Sequence, residues 1–230
     1  MNSRFIPIVL SWLLVTALLL CTATVRGQTA WLQADQDLVI AETDHFVIIA
    51  ESCLADAVPG LAADCEDAYA ALGPLFQWRF LEKVTVLYTD SRDRHNGWAN
   101  PMSHPTMLIL AAPSRNMSYL AGPGHHRRRT VYHELTHLLQ TDAHFGFIRR
   151  MHSVFGRVFA DLMDPLSLVI GLLTLPPATA APSWYLEGTA IWAETQFPGP
   201  GRGRSAEVDA MFRTAVDQNR LFPVERWHLR

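Results

Sequence analysis

Cysteine is scarce in this sequence, with 3 among 230 residues, and this scarcity excludes a fold held together by many disulfides. Only Cys53 and Cys65 lie beyond the N-terminal segment. On one continuous helix they would be about 18 Å apart, too far for a disulfide, whereas a break at Pro59-Gly60 would let them approach. The sequence leaves open either a Cys53–Cys65 bond or two separate buried thiols.

A large excess of one charge is also missing, because the formal net charge is −3. This balance argues against general nucleic-acid binding, and the basic run His125–Arg129 is short. We interpret the run as a solvated loop, with contact to an anionic substrate or a membrane surface as the alternative.

Long apolar runs are few. A predominantly apolar run covers Phe5–Leu20 and is followed by Cys21–Gly27, which is the layout of a secretory signal. We predict residues 1–27 to be a cleaved signal peptide or an N-terminal membrane anchor, with a lipoprotein signal at Cys21 as a third alternative. The rest of the chain is then expected in the periplasm or cell envelope.

A second apolar stretch, residues 166–175, is too short to cross a bilayer. It could line a substrate groove, lie on a membrane surface or pack into the protein. Membrane association is therefore predicted through either the N-terminal segment or this stretch.

The strongest chemical signal is the run His133-Glu134-Leu135-Thr136-His137, which reads HExxH. On a helix, the two histidines lie one turn apart on the same face, about 6 Å along the axis, so both imidazoles can bind one metal ion. Glu134 would take a proton from water. These are two ligands and a general base of a zinc hydrolase.

The surrounding residues favour a buried helix. Val131, Leu135, Leu138 and Leu139 form an apolar stripe, and no Gly or Pro interrupts the run. The alternative is that both histidines are ordinary core residues. Burying two imidazoles and a carboxylate without a metal would be costly, which favours the metal site.

A third ligand is needed, and Glu187 is the best placed candidate. His144 would lie about 10 Å beyond His137 on the same helix, and position 143 is Ala, which disfavours a metzincin. Glu187 falls in a helix-like run, Ser183–Thr195, for which Ser183 is the expected N-cap.

Two further features of this second helix bear on the site. Glu194 lies two turns after Glu187 and would orient a zinc-bound imidazole; the alternatives are an ordinary surface glutamate or a salt bridge to one of the following arginines. Gly188 and Ala190 would let two helix backbones approach closely.

Strands are predicted at residues 45–50, 83–89 and 107–112, and a helix over Leu54–Leu75. This order indicates an α+β protein, with a sheet lobe at about 37–142 and a helical lobe at about 143–230. The polar turn before the third strand would bind substrate backbone by β-augmentation, or form a tight loop with an inward-packed tryptophan. Its candidate substrate-binding residues are Asn96, Gly97, Trp98 and Ala99.

Together these motifs resemble a gluzincin, specifically the peptidase MA-like domains that precede Tol-type β-propellers in bacterial envelope proteins. The resemblance covers roughly residues 37–228. It rests on Thr43–Ile48, Asn96–Ala99, the HELTH helix, Trp184–Ala190 with Glu194, and Ala215–Pro223. The gap between the two helices is long and no propeller follows, which would fit a fragment or a short stand-alone member.

The resemblance implies a thermolysin-like zincin with a small mixed sheet lobe, a central HExxH helix and a helical second lobe, the last possibly shortened. By this resemblance His133, His137 and Glu187 bind one Zn²⁺ and Glu134 is the general base. The expected function is hydrolysis of peptide bonds in a peptide or protein substrate.

Two alternatives to a peptidase remain open. One is a non-catalytic or weakly active zinc-binding envelope module that mediates protein interaction, and the other hydrolyses a non-peptide amide or ester. No tyrosine follows Tyr185 to stabilise an oxyanion. The donor would have to be one of His228, Arg202, Arg204 and Arg213.

Overall fold

The computed structural model of the protein describes residues 37–91, 97–102, 104–112, 125–158, 160–199 and 201–221. The predicted signal or anchor at residues 1–27 lies outside the described residues, as do Asn96 and His228. Within these ranges, no helix is both long and apolar enough to cross a membrane.

The protein is α+β and contains a small mixed sheet of five strands in the order β1-β2-β3-β5-β4. The two inner pairings, β2 with β3 and β3 with β5, are parallel, and the two outer pairings are antiparallel. The strands are β1 (Leu38–Glu42), β2 (Phe46–Glu51), β3 (Val84–Thr89), β4 (Gly97–Asn100) and β5 (Thr106–Leu110).

The three strands predicted from the sequence are confirmed as β2, β3 and β5. Strand β1 was not predicted, because its alternation leaves Leu38 and Ile40 exposed and resembles a surface loop. The tight-loop alternative for the polar turn before β5 is wrong, because residues 97–100 form the edge strand β4, which is what the β-augmentation alternative requires. Trp98 and its neighbours pair antiparallel with β5, with Trp98 opposite Leu108.

Six α-helices are found in the described ranges. The predicted helix Leu54–Leu75 corresponds to a 3-10 turn at Ser52–Ala57 followed by α1. Pro59 lies in the first turn of α1 and does not break it. The helices are α1 (Val58–Phe76), α2 (His126–Asp142), α3 (Gly146–Phe155), α4 (Pro165–Thr174), α5 (Ser183–Gln196) and α6 (Ala206–Asp217).

The core lies between the sheet, α1 and α2, and it fixes the HExxH helix in place. Residues from all three are fully buried there, among them Ile48 on β2, Leu61 on α1 and Leu135 on α2. The predicted apolar stripe of α2 is confirmed, because Val131, Leu135, Leu138 and Leu139 are fully buried. The HExxH residues therefore sit on a helix that cannot rotate without unpacking the core.

We predicted a solvated loop for the basic run ahead of the HExxH motif, and this prediction is wrong. Its residues form the first turn of α2, and Arg127 and Arg128 pair with Asp64 of α1 at 2.8 and 3.3 Å. Arg129 is buried. The prediction was wrong because the partner carboxylate lies more than sixty residues earlier in the sequence.

Both cysteines are free thiols, so the disulfide alternative is wrong. Cys65 is buried in α1, as expected. Cys53 was also expected to be buried, but it lies in the 3-10 turn and is exposed. The turn points Cys53 away from the core that encloses Cys65.

We predict that iodoacetamide alkylates Cys53 readily and leaves Cys65 unmodified in the native protein. Burial raises the pKa of the Cys65 thiol, and the reagent can reach it only through unfolding. Because unfolding costs about 5 kcal/mol or more, alkylation of Cys65 should be slower by about four orders of magnitude or more. Peptide mapping by mass spectrometry measures both rates, and urea should equalise them. Equal rates without urea would contradict the burial of Cys65.

Candidate metal centre

Helices α2 and α5 pack against each other and bring three potential metal ligands together. The Nε2 atoms of His133 and His137 are 3.1 Å apart. Glu187 on α5 places Oε2 at 3.4 Å from His133 Nε2 and Oε1 at 3.6 Å from His137 Nε2. The three residues predicted as ligands therefore converge on one point.

These separations fit a single tetrahedral metal ion. Two ligand atoms bound at about 2.05 Å with a tetrahedral angle are about 3.3 Å apart, and the observed separations lie on both sides of that value, although Glu187 approaches the two imidazoles with different carboxylate oxygens. Two neutral nitrogens and a carboxylate are also a donor set that zinc accepts. The residues present thus fit one divalent ion. The Glu187 side chain is exposed, so solvent reaches this side of the ligand group.

The other ring nitrogen of His133 has its own partners. Its Nδ1 lies 3.1 Å from Glu194 Oε2 and 2.8 Å from Arg202 Nη2. If Nε2 is to bind a metal, the ring hydrogen must sit on Nδ1 and be donated to Glu194; Arg202 Nη2, which is also a donor, then lies next to Nδ1 without a hydrogen bond to it. Glu194 therefore lies where it was predicted to orient an imidazole, beside Nδ1 of His133. Glu194 is not a surface glutamate, since its side chain is 1% exposed, but the predicted salt bridge to a following arginine is confirmed, with Arg202 as the partner.

Arg202 holds the buried Glu194 carboxylate with several hydrogen bonds. Its Nε donates to Oε1 and its Nη2 to Oε2, each at 2.7 Å, and its backbone N–H also donates to Oε1 at 3.1 Å. This forked arrangement is the strong form of an arginine–carboxylate pair. Arg202 was predicted only as a possible oxyanion donor. Its hydrogen bonds to Glu194 instead place its guanidinium beside Nδ1 of His133.

The turn that carries Arg202 fits closely against the end of α5. A Cβ atom at Gly201 would lie 2.6 Å from the Glu194 carbonyl oxygen, and one at Gly203 would lie 2.8 Å from Thr195 Oγ1. Gly203 N–H donates to that hydroxyl at 3.1 Å. Glycine on both sides of Arg202 is thus what allows its guanidinium to reach Glu194, and the sequence Gly-Arg-Gly-Arg was the available signal.

Several ionisable groups of the site have pKa values far from their usual range. Burial opposes the charge on His133, but its bonds to Glu187 and Glu194 outweigh burial and raise its pKa to about 9. Burial and the neighbouring His133 lower the pKa of His137 to about 4. Burial opposes the charge on Glu194, but Arg202 and His133 outweigh it and lower its pKa to about 2. A cation that binds here must therefore displace the His133 proton.

The side chain of Glu134 projects from α2 toward the edge strand β4. A Cβ atom at Gly97 would be 2.7 Å from Glu134 Cγ and Oε1, so only glycine lets the strand lie this close to the carboxylate. Burial is the main cause that raises the pKa of Glu134 to about 7. Of the predicted substrate-binding residues, Gly97, Trp98 and Ala99 are thus on a strand beside Glu134, and Asn96 is outside the described residues.

Several other expectations can be judged from the same geometry. His144 was expected further along the HExxH helix, but it follows the end of α2 and packs on Trp78 and His152. It is not part of the ligand group, which agrees with its exclusion as a ligand. Ser183 is not an N-cap, because α5 already begins there and Pro182 precedes it. Gly188 has open space around it, so it does not mediate close helix packing, whereas Ala190 is fully buried.

Among the described residues, the two other arginine candidates for an oxyanion donor make no contact with the triad. Arg213 pairs with Asp209 on the exposed surface of α6, and Arg204 is exposed. His228 is outside the described residues.

No family model matches the sequence, and no curated protein matches it significantly.

Proposed function

We propose that this protein is a zinc-dependent metallopeptidase of the gluzincin type, with a thermolysin-like arrangement of the HExxH helix and the second ligand helix. The observation that carries the proposal is the convergence of His133, His137 and Glu187 at tetrahedral separations, with Glu134 on the same helix. An exported location, in the periplasm or cell envelope, is part of the proposal and is supported by the signal-like N-terminal sequence.

The chain's own residues supply ligand binding and proton transfer. When bound, zinc would supply a Lewis acid that polarises a carbonyl group and makes water more acidic. Glu134 accepts the proton from water and passes it to the leaving amine, and a pKa of about 7 suits a group that must both take and release a proton near neutrality. Glu194 keeps the His133 ring in the tautomer that frees Nε2.

The edge strand favours a peptide substrate over a small amide or ester. Strand β4 ends the sheet next to Glu134, so an extended peptide could pair with its outer edge and present a carbonyl to the site. Main-chain pairing of this kind recognises a polypeptide and offers little to a compact molecule. Gly97, Trp98 and Ala99 would form the strand's contact with substrate.

We predict that Glu187→Ala removes stoichiometric zinc binding and peptide hydrolysis together. The substitution leaves two imidazoles, and even loss of an outer partner typically weakens metal binding about 10–100-fold, so loss of a ligand should cost more. Metal analysis after dialysis and cleavage of a broad peptide library measure the two effects. Chelation of the wild type should also stop cleavage, and added zinc should restore it.

The matched control for this experiment is Glu207→Ala, which removes an exposed glutamate from α6. It should retain full zinc content and cleavage. Unchanged zinc in Glu187→Ala would exclude Glu187 as a ligand. Zinc binding without cleavage by the wild type would favour the non-catalytic envelope module.

A further inference from the structure

A small cavity lies beside helices α3 and α4, and the residues that follow β4 form another part of its wall. Its lining includes His144, His152 and Met102, and its volume is about 20 Å³. A space of this size holds about one water molecule or one ion and is too small for an organic ligand. The described residues that line it include none of the proposed zinc ligands. The cavity is therefore separate from the candidate metal centre.

Two imidazole nitrogens of residues that line this cavity lack hydrogen-bond partners. Nδ1 of His144 and Nε2 of His152 are buried and bond to no described part of the chain, and His144 as a whole is 3% exposed. The centroids of the two rings are 4.2 Å apart, close to the 4.7 Å between the rings of His133 and His137. Buried polar atoms without a partner are uncommon, and a bound ion or water molecule is one reason for them.

The charges around the cavity favour a cation over an anion. Burial is the main cause that lowers the pKa of both His144 and His152, so near neutral pH each ring keeps a lone pair for a cation. Arg157 also lines the cavity, but its guanidinium is paired with Asp142 at 2.5 Å and with Glu82 at 2.7 Å. An anion would therefore find two neutral rings and a guanidinium already bound to two carboxylates.

We propose that the cavity is a second metal site and that its ion is Cu(I). The ligands are Nδ1 of His144, Nε2 of His152 and the thioether sulfur of Met102. Soft thioether sulfur selects Cu(I), and imidazole also suits copper. A water molecule would gain little from the sulfur, which is a weak acceptor. Zinc and calcium would favour the two nearby carboxylates, which Arg157 already holds.

Copper in this cavity would join three parts of the chain. His144 follows α2, His152 lies on α3, and Met102 comes shortly after the end of β4. The bound ion would thus tie the end of the edge strand to α3. The site goes beyond the proposed peptidase activity and does not depend on it, because the zinc ligands lie on α2 and α5.

Anaerobic titration with Cu(I), buffered by bathocuproine disulfonate, tests the proposal in the full chain. Cys21 and Cys53 are first replaced by serine, so that the buried Cys65 is the one remaining thiol. This parent protein should retain copper against the chelator. X-ray absorption at the copper edge should show nitrogen and sulfur neighbours, and Met102→Leu, which nearly keeps the side-chain volume, should remove the sulfur. A sulfur signal that survives in Met102→Leu would point to Cys65 and overturn the proposal.

Further variants assign the copper to this cavity. His152→Leu should weaken Cu(I) binding more than about 100-fold, since loss of an outer partner of a ligand alone costs about 10–100-fold. The control His125→Gln removes an exposed histidine at the start of α2 and should bind as the parent does. Glu187→Ala should also keep this copper, so failure of the zinc site leaves the test intact. The proposal is wrong if the parent retains no Cu(I), or if Glu187→Ala loses the copper and His152→Leu keeps it.

Discussion

Glu134→Gln is expected to reduce peptide hydrolysis by about two to four orders of magnitude, the usual contribution of a general base, while zinc content stays unchanged. Glutamine keeps the shape of the side chain, so it can occupy the narrow space beside Gly97. It cannot take a proton from water. We expect the zinc ligands to remain in place, because the contacts of His133 with Glu187 and Glu194 do not involve Glu134.

The comparison that isolates this role is kcat for the wild type, Glu134→Gln and Glu207→Gln on the best peptide from a library. The Glu207 variant should behave as the wild type, since that glutamate is exposed on α6. If Glu134→Gln retained full turnover with zinc bound, Glu134 would not be the base. A parallel loss of zinc would show that the variant had disturbed the site itself.

Arg202→Met is expected to destabilise the metal-free protein by about 3–5 kcal/mol, the range for breaking one partner out of a buried ion pair. Glu194 is 1% exposed and receives three hydrogen bonds from Arg202. Two of these come from the side chain and disappear in the variant. Protonated His133 remains beside the carboxylate and keeps the loss near the lower end of that range.

Arg213→Met provides a control with the same bond length and different burial. Arg213 Nε lies 2.7 Å from Asp209, the same separation as Arg202 Nε from Glu194, but both surface side chains are at least 60% exposed. Its loss should leave the free energy of unfolding almost unchanged, because exposed ion pairs contribute little to stability. Urea unfolding of the metal-free proteins measures both values. Similar costs for the two variants would show that Arg202 does not stabilise a buried charge.

A companion variant separates charge from packing at Arg202. In Arg202→Met with Glu194→Met, no carboxylate is left buried without a partner, so stability should recover by most of the loss. If the double variant is no more stable than Arg202→Met, the arginine acts through packing of its turn.

The parts of this structure that could be predicted from sequence are those set by local periodicity. His133, Glu134 and His137 lie on one helix, so a spacing of four residues already places the two imidazoles on one face. The strands β2, β3 and β5 are short β-branched runs that are buried in the sheet.

The parts that could not be predicted depend on partners distant in sequence. Strand β4 is only four residues long, and its pairing with β5 rather than its composition makes it a strand. Arg202 and His133 are 69 residues apart, and no sequence period connects them. The same holds for Gly97, whose contact with Glu134 reflects how closely an edge strand crosses a helix.

The glycine-flanked turn at Arg202 also sets an order of events during protein synthesis. Residues 133 and 137 leave the ribosome early, Glu187 follows, and the arginine that secures Glu194 comes later still. A growing chain therefore carries the HExxH helix long before it can hold His133 in a fixed tautomer. The arrangement that fixes the Glu194 carboxylate beside His133 is complete only when synthesis has passed Gly203.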